Sequence, residues 1–403
     1  MLSTPHTTLL VRQAMRSTAP ASVFRPLPLL PAVRALHVGQ RSQGAALHHP
    51  RQTSTVEHEK APTRAFQPHP KDTTSPSPST TSLSSWTSST RPHEDWVLAH
   101  PVYTPAELDS VRVVHRPPQN VTDRVAHALI MLARKGFDWV SGYKHASPEA
   151  AMEQARKDGK GDLSLADLRK EGYLMTEAQW VARILYLESI AGVPGMTAGI
   201  LRHLRSLRLM KRDGGWINSL LQEAENERMH LLTFMKVRSP SLWFRLVILG
   251  TQGVFFNLFF LSYLFSPHGA HRFVGYLEEQ AIVTYTHIVE AIARGEVPEW
   301  DPKNPHAKKV PQLAKDYWRM GDEATMLDLI KAVRADEAGH RFVNHTLANL
   351  QKDDFNPVAF KHASAEMSGT LAEMTREESL AYARGVQEEL TGKEVKAGEK
   401  KEM

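Results

Sequence analysis

From Val121 onward, apolar residues recur every three or four positions, and no segment sustains strict alternation of apolar and polar residues. The first pattern is typical of amphipathic α-helices, whereas strands alternate with a period of two. The predicted helices cover residues 121–140, 175–193, 196–212, 215–236, 241–264, 270–294, 315–349 and 360–388. The predicted fold class is therefore all-α.

Four of these helices have charged groups on an otherwise apolar face. Glu227 and His230 lie three residues apart on one helix, and Glu337 and His340 repeat that spacing on another. The helices near 180 and 280 each place one glutamate on such a face. The four faces are Val181, Ile184, Glu188 and Ala191; Trp216, Leu220, Glu223, Glu227, His230 and Phe234; Val274, Glu278, Ala281, Tyr285 and Ile288; and Met326, Ile330, Val333, Glu337, His340, Asn344 and Leu347.

Carboxylates that face a bundle interior need a positive partner. Four unpaired ones would cost more than the net stability of a domain, which is on the order of 5–15 kcal/mol. No Lys or Arg occupies these faces, so protonation or metal ions remain. Two divalent ions balance four glutamates, and residues three apart on a helix can bind one metal together. The pattern predicts a ferritin-like four-helix bundle with a di-metal centre, and its oxygen-rich ligand set favours iron or manganese over zinc.

Each Glu-x-x-His pair taken alone is explained more simply as a surface pair. A chain with 20 histidines and many glutamates is expected to contain this spacing about once by chance. The joint pattern favours the metal hypothesis, because the order Glu, Glu-x-x-His, Glu, Glu-x-x-His falls on the apolar faces of four separate helices.

Four segments around these residues closely resemble the mitochondrial alternative oxidases. They are LESIAGVPGM from Leu187, EAENERMHLLTF from Glu223, HRFVGYLEEQA from His271 and RADEAGHRFVNH from Arg334. The resemblance extends over about residues 101–350. It implies a cyanide-insensitive, non-haem di-iron enzyme that oxidises ubiquinol, reduces dioxygen to water and pumps no protons.

The resemblance also implies a role for individual residues. The two irons would be held by Glu188, Glu227, His230, Glu278, Glu337 and His340. Tyr285 would act in O–O cleavage, although its spacing alone favours an ordinary core tyrosine. The quinol pocket would be lined by Arg183, Leu187, Leu277, Ala281 and Thr284, with Arg134 and Asp138 as a second pocket or a supporting pair. Residues implied to hydrogen-bond the ligands are Asn226, His271, Tyr317 and Asp336. Gln280 is a departure, because the family commonly has LEEEA where this chain has LEEQA.

Two stretches indicate contact with a membrane, which a lipid quinol requires. Residues 246–265 contain no charge and are long enough to span a bilayer. A single span would, however, separate two helices that must reach one metal centre, so we expect this helix to pack on the bundle and face lipid on one side. Residues 194–215 combine an apolar stripe with arginines and lysines, and either membrane contact or ordinary packing fits them. The resemblance implies a monotopic homodimer on the matrix face of the inner mitochondrial membrane.

The N-terminal region has the composition of a targeting segment. Residues 1–56 contain six arginines and no Asp, Glu or Lys, which is typical of a mitochondrial or plastid transit peptide. The six arginines exceed the net charge of +5, so the rest of the chain gives little reason to expect nucleic-acid binding. The predicted organisation is a transit peptide over 1–60, a disordered linker and N-terminal arm over 61–115, the oxidase domain over 116–350, and a C-terminal helix with a solvated tail over 351–403. The alternative for the leader is a disordered basic tail.

Other functions remain open on the residues alone. A quinone-ring hydroxylase, a fatty-acyl desaturase or the plastid terminal oxidase would retain the metal ligands and change the reaction or the location. An iron store or a metal-free helical membrane protein is a non-enzymatic alternative. The chain has no cysteine, which excludes thiolate metal sites and regulation by disulfides.

Overall fold

The chain folds into helices, and no strand occurs in the part that the structure describes. The structure is a computed structural model that describes residues 100–392 except 144 and 360. Its helices are α1 (Pro105–Ser110), α2 (Val121–Ser141), α3 (Pro148–Lys157), α4 (Leu165–Lys170), α5 (Glu177–Leu209), α6 (Trp216–Val237), α7 (Leu242–Phe265), α8 (Pro267–Ala293), α9 (Gln312–Trp318), α10 (Met326–Leu347), α11 (Ala365–Thr370) and α12 (Arg376–Thr391). The all-α prediction is confirmed. The predicted leader, the linker up to residue 99 and the tail from residue 393 lie outside the described residues.

Four long helices form the central bundle. Helix α5 packs along α6, and α8 packs along α10. The main apolar core lies among them and includes Ile184, Phe234, Ile288 and Ile330, each almost fully buried. Helix α7 packs on α5 and α8, and α2 packs on α8. The bundle therefore brings together the four helices on which the sequence places acids.

The predicted break between residues 193 and 196 is wrong, because α5 continues through Pro194. A proline inside a helix removes a backbone hydrogen bond and usually costs about 3 kcal/mol. Gly195 compensates by close packing: a Cβ atom there would lie 2.7 Å from the carbonyl oxygen of Leu220. The contact between α5 and α6 along this length thus holds the helix together.

Two predicted long helices are each divided. The segment 315–349 comprises α9 and α10, with Arg319 in the left-handed conformation at the end of α9 and Thr325 capping α10. The segment 360–388 comprises α11 and α12, and Thr375 caps the second. In both cases a threonine followed three residues later by an acid forms a capping box, which marks the start of a new helix. The sequence prediction followed the apolar periodicity alone and therefore ran across these starts.

Helices α3 and α4 were not predicted. They begin after Ser147 and Ser164, whose side chains accept hydrogen bonds from the first helical turn. They pack on each other through a small apolar cluster that includes Ala155 and Leu168. Serine caps and a proline at the first helical position gave a usable signal for α3.

The described part of the N-terminal arm is extended apart from the short helix α1, which begins at Pro105. It packs on α10 of the same chain, where Arg334 donates to the carbonyl of Leu108 at 3.0 Å and Arg341 donates to that of Arg112 at 3.3 Å.

Three exposed apolar faces lie outside the bundle core. On α7 the exposed side chains are Leu242, Trp243, Leu246, Leu249, Val254, Phe256, Leu258, Leu261, Leu264 and Phe265. On α5 they are Met196, Ile200, Leu204, Leu207 and Leu209, and on α2 they are Val121, Val125, Leu129, Leu132 and Trp139. Among the described helices, α5 and α7 are long and apolar enough to cross a membrane by length and composition, but half of the apolar window of α5 is buried in the protein and only 11% of that of α7.

Helix α7 is also tied to the bundle by polar contacts. Gln252 donates to the carbonyl of Ser189 at 2.6 Å, and the hydroxyl of Tyr186 donates to Thr251 at 3.2 Å. These bonds agree with the expectation that α7 packs along the bundle. The α2 stripe was missed, although its spacing of four, four and three residues is visible in the sequence. Arg202, one of the arginines of residues 194–215, does not face a membrane, because this side chain is buried, pairs with Asp213 at 3.0 Å and stacks on Trp216.

A buried group of four charges joins the arm, α2, α8 and the C-terminal segment. Asp123 accepts from Arg116 at 2.7 Å and from Arg272 at 3.1 Å, and Glu373 accepts from the same two arginines at 2.5 and 2.8 Å. Burial alone would raise the pKa of Asp123, but hydrogen bonds from Arg116 and the backbone of Gln119, with the charge of Arg272, lower it. The carboxylate therefore stays ionised inside the protein.

We expect Asp123→Asn to destabilise the fold by about 3 kcal/mol, because it leaves two buried arginines with one carboxylate. Because the folded pKa of Asp123 lies below its unfolded value, its contribution is present above about pH 4 and is lost as the pH falls. Thermal unfolding followed by circular dichroism at pH 7 and at about pH 2.5 should show a smaller difference between wild type and variant at the lower pH, which lies below the unfolded pKa. The control is Asp109→Asn, which breaks the exposed pair with Lys331 and should cost less than about 1 kcal/mol. Equal losses in the two variants would contradict the account.

Candidate metal centre

Six acidic and imidazole side chains converge in the middle of the bundle. One group comprises Glu188, Glu227, His230 and Glu337, and the other comprises Glu227, Glu278, Glu337 and His340; within each group, one ligand atom from every residue lies within 4.8 Å of the others. All six residues are buried. Glu227 and Glu337 belong to both groups. The structure thus brings together all six residues that the sequence selected, in two overlapping sets.

Several carboxylate oxygens of this cluster have no hydrogen-bond partner within the protein, as expected of atoms that bind metal ions. His340 Nδ1 lies 2.7 Å from Glu227 Oε1, yet neither atom has an aligned hydrogen-bond partner. Both oxygens of Glu227, one of Glu278 and one of Glu337 are buried without a partner. Buried polar atoms without partners are rare in folded proteins and call for a further group at the site. A pair of cations that accepts these lone pairs is such a group.

The electrostatics lead to the same conclusion. Burial raises the pKa of Glu188 and Glu278, and the charges of Glu337 and Glu227 raise both further. Burial alone would lower the pKa of His230, but its hydrogen bonds to Asp336 and neighbouring carboxylates raise it well above the usual value. Without cations the cluster must therefore take up protons to be stable, whereas bound cations allow every carboxylate to ionise.

Tyr285 lies directly beside the cluster. Its hydroxyl donates to a carboxylate oxygen of Glu188, and the ring is buried. Burial raises its pKa well above 10, and the charges of Glu188 and Glu337 add to the effect. Tyr285 therefore stays protonated, with its hydrogen directed at a candidate ligand.

Asp336 is the centre of a hydrogen-bond network behind His230. Its carboxylate lies 3.0 Å from His230 Nε2, which orients the imidazole so that Nδ1 faces the cluster. The other donors to Asp336 are Asn226 at 3.1 Å, Trp318 at 2.9 Å, Tyr103 at 2.5 Å and His100 at 3.0 Å. Five groups thus fix one carboxylate, and it in turn fixes a candidate ligand.

Of the four residues that the resemblance placed next to the ligands, only Asp336 hydrogen-bonds one directly. Asn226 reaches His230 through Asp336, and Tyr317 accepts from Asn226 at 3.0 Å. His271 lies one step further away, because Nδ1 is 3.0 Å from the side-chain oxygen of Asn344. Sequence reasoning missed His100, Tyr103 and Trp318, since nothing local connects them to Asp336.

The structure joins the predicted quinol-pocket arginine to one of the supporting residues. Arg183 is buried, and one of its nitrogens donates to Asp138 at 2.6 Å, while Nε and Nη1 have no partner. Arg134 donates to the side-chain oxygen of Gln280 at 3.0 Å and lies 3.5 Å from Asp138. A glutamine thus occupies a position next to Arg134 where a carboxylate would pair with it.

Among the four remaining predicted pocket residues, Leu187 and Leu277 directly precede the candidate ligands Glu188 and Glu278, and Ala281 and Thr284 follow Glu278 by about one and two turns of α8. Thr284 is buried, and its hydroxyl donates to the carbonyl of Gln280 at 2.9 Å, within its own helix. Leu187, Leu277 and Ala281 are half-buried. Leu277 also packs against the small apolar cluster that α2 and α8 share. Their positions are compatible with an apolar pocket wall.

A cavity of about 600 Å³ approaches the cluster from the side of the arm and α11. Its lining includes Glu223, His340, Tyr317 and His362. Burial raises the pKa of Glu223 to about 7, and the charge of His340 opposes this effect. The sequence did not predict this cavity, because its walls come from segments that are far apart in the chain.

Comparison with known proteins identifies the family. The sequence model described as alternative oxidase matches residues 103–349, which include all six cluster residues. The chain belongs to the alternative oxidase family. A protein of Cryptococcus neoformans var. grubii named as a mitochondrial alternative oxidase is 51% identical over 290 residues, which cover 72% of this chain and 70% of that protein.

Two further fungal alternative oxidases show similar agreement. That of Emericella nidulans is 51% identical over 263 residues, covering 65% of this chain and 68% of the relative. That of Yarrowia lipolytica is 49% identical over 265 residues, covering 66% and 68%. Both are also named as mitochondrial. Membership of the alternative oxidase family makes the protein an oxidoreductase of the oxidase type, with a buried carboxylate and imidazole cluster suited to a metal centre.

Proposed function

We propose that this alternative oxidase oxidises ubiquinol and reduces dioxygen to water at a di-iron centre, without pumping protons and without inhibition by cyanide. The observation that carries the proposal is the buried cluster of four glutamates and two histidines, with carboxylate oxygens that lack a hydrogen-bond partner, in a chain of this family. Oxygen-rich ligation with two imidazoles favours iron where dioxygen is the substrate.

Each iron would have its own ligands and would share two others with its neighbour. Glu188 and His230 belong to one group, Glu278 and His340 belong to the other, and Glu227 and Glu337 belong to both. The two shared carboxylates would hold both ions. When bound, an iron pair would supply the redox chemistry that couples oxidation of quinol to reduction of dioxygen.

The surrounding residues prepare this site for quinol and oxygen. Arg183 offers two buried N–H groups without partners, which suit an oxygen of the quinol ring. Leu187, Leu277, Ala281 and Thr284 would line the pocket, and Asp138 holds Arg183 in place. Tyr285 keeps a proton next to Glu188 and can supply it together with an electron. The apolar core around the cluster excludes water and other reductants.

We further propose that the protein lies on the matrix face of the inner mitochondrial membrane as a monotopic homodimer. The exposed apolar faces of α2 and α7 both belong to helices that pack on α8, and together they offer a broad surface for lipid.

The curated relatives are named as mitochondrial, and the acid-free leader fits a transit peptide over 1–60. The homodimer is proposed from the resemblance to the family. Flotation with liposomes tests the membrane contact, and protein that stays at the bottom of the gradient would exclude it.

An oxygen electrode tests the reaction itself. Purified protein with a short-chain ubiquinol should consume oxygen in the presence of cyanide, with about one dioxygen used for two quinols oxidised. A hydroxylase or a desaturase would consume oxygen only with its own organic substrate. Absence of uptake with ubiquinol by iron-loaded protein would refute the proposed reaction.

A further inference from the structure

Three polar rings lead from Arg183 toward the surface. The guanidinium carbon of Arg183 lies 3.9 Å from the centre of the Tyr143 ring. The Tyr143 hydroxyl lies 2.9 Å from Nδ1 of His287, and the His287 ring stacks on His145 with centroids 3.5 Å apart and planes inclined by 10°. Tyr143 is buried, His287 is half-buried and His145 is exposed. The row therefore connects the interior beside Arg183 with solvent.

The backbone fixes this row. Helix α2 ends at Gly142 in the left-handed conformation, and the amide of Tyr143 donates to the carbonyl of Asp138 at 3.0 Å. Helix α8 places His287 opposite this turn. His287 belongs to neither group of the metal cluster. The proposed metal centre therefore does not account for its place beside Tyr143.

Quinol oxidation requires a route for protons. Each quinol that becomes a quinone loses two electrons and two protons, and its O–H bonds must break next to Arg183. Asp138 already pairs with Arg183 at 2.6 Å and lies 3.5 Å from Arg134, so both of its oxygens face an arginine and neither lies free for the quinol. Gln280 stands where the family commonly has a glutamate, and an amide cannot take up a proton at neutral pH. Among the groups named around Arg183, the imidazole of His287 remains as the base.

The charges around His287 favour rapid transfer over storage of the proton. Burial lowers the pKa of His287 to about 4, and the charges of His145, Arg134, Arg183 and Arg294 add to this effect. Burial raises the pKa of Tyr143, with Arg183 and Arg134 opposing it and the carboxylates of Asp138 and Glu290 supporting it. At neutral pH both the phenol and the imidazole are therefore neutral; in the tautomer with its proton on Nε2, His287 accepts from Tyr143, and an imidazolium formed there loses its proton readily.

We propose that Tyr143 and His287 form the path by which protons leave the quinol at Arg183, with His145 as a positioning residue. The path rests on the proposed quinol oxidation. The quinol hydroxyl gives its proton to the oxygen of Tyr143 as Tyr143 gives its own to His287 Nδ1. The imidazolium then releases the proton on Nε2 to water, and the tyrosine ends as it began. His287 is left with its proton on Nδ1 and regains the Nε2–H tautomer by proton exchange with water before it accepts the second proton. The two electrons of the quinol go to dioxygen through the proposed centre. His145 stacks on His287, keeps its ring in line and disfavours the charged form.

Two substitutions of His287 separate proton transfer from structural support. His287→Gln can still accept a hydrogen bond from Tyr143 but cannot carry a proton, whereas His287→Phe can do neither. Oxygen uptake by the purified enzyme with a short-chain ubiquinol should show kcat reduced about 10- to 100-fold in both variants, with KM within about twofold of wild type. The residual rate should rise with pH, because hydroxide and buffer base replace the imidazole. Iron content should not change, and the solvent deuterium isotope effect on kcat should increase. His306→Gln, at an exposed loop position, is the matched control and should behave as wild type.

The outcomes distinguish the path from the underlying reaction. The path would be overturned if either variant, including His287→Gln alone, kept wild-type kcat. It would also be overturned if the loss of activity followed a loss of iron. Both results would leave quinol oxidation intact. Iron-loaded wild type that consumes no oxygen with ubiquinol would overturn the proposed function, and the path with it.

Discussion

Glu227→Ala is expected to abolish ubiquinol-dependent oxygen uptake, with a fall in kcat of at least about 10³-fold. Glu227 belongs to both groups of the cluster, and both of its oxygens are buried without a hydrogen-bond partner. Its removal therefore takes a ligand from both proposed metal positions at once, whereas removal of Glu188 or Glu278 affects one group. Metal analysis of the purified variant should show most of the iron lost, and the oxygen electrode should show background rates.

The fold of this variant should survive. Burial alone would raise the pKa of Glu227, but the neighbouring His230 and His340 lower it, so Glu227 stays ionised in the metal-free protein. Its charge in turn raises the pKa of Glu188 and Glu278. Removal of Glu227 therefore loses its contacts with two imidazoles but relieves its repulsion of the other carboxyl groups, and we expect metal-free Glu227→Ala to unfold at about the temperature of metal-free wild type. The matched control is Glu225→Ala on the same helix, where the carboxylate pairs with exposed Arg228 at 2.5 Å. Iron-loaded, active Glu227→Ala protein would contradict the assignment of the ligands.

Tyr285→Phe is expected to lower kcat about 10²- to 10³-fold while iron content and stability stay near those of wild type. The substitution removes one hydroxyl, whose hydrogen is directed at Glu188, and leaves the ring in the core. A positioned proton donor contributes about 10²–10⁴-fold to a rate. One hydrogen bond contributes about 0.5–1.5 kcal/mol to stability, whereas a 10²- to 10³-fold fall in kcat corresponds to about 3–4 kcal/mol. Activity should therefore fall more than stability.

Tyr276→Phe provides the control for this substitution. Tyr276 is also a buried tyrosine of α8, but its ring packs in the cluster shared with α2, beside Ala126 and Ile130. We expect its kcat to stay within about twofold of wild type, because it does not touch the metal ligands. If Tyr285→Phe also retains wild-type kcat, Tyr285 is the core tyrosine that its spacing alone suggests.

The candidate ligands could be predicted because their signal is local. Each lies on an apolar face at helical spacing, so a charged side chain directed toward the core can be recognised within one helix. Because four helices each carry such a residue, the charged groups are expected to meet around one shared site. The same local periodicity predicted the helices α2, α6, α7 and α8 to within a few residues.

The rest depends on contacts between distant segments. Pro194 stops a helix by local rules, but the close approach of α5 and α6 at Gly195 overrides it. Arg202 has the pattern of a surface residue, yet Asp213 and Trp216 bury it. Local spacing could not predict that an arm residue such as Tyr103 bonds Asp336, because more than two hundred residues separate them.

The metal content of the purified, active wild-type enzyme shows whether the buried carboxylates hold a di-iron centre. We expect about two iron atoms per chain, lost together on prolonged chelation and required together for the return of oxygen uptake. Full activity in protein that contains no transition metal would contradict this expectation.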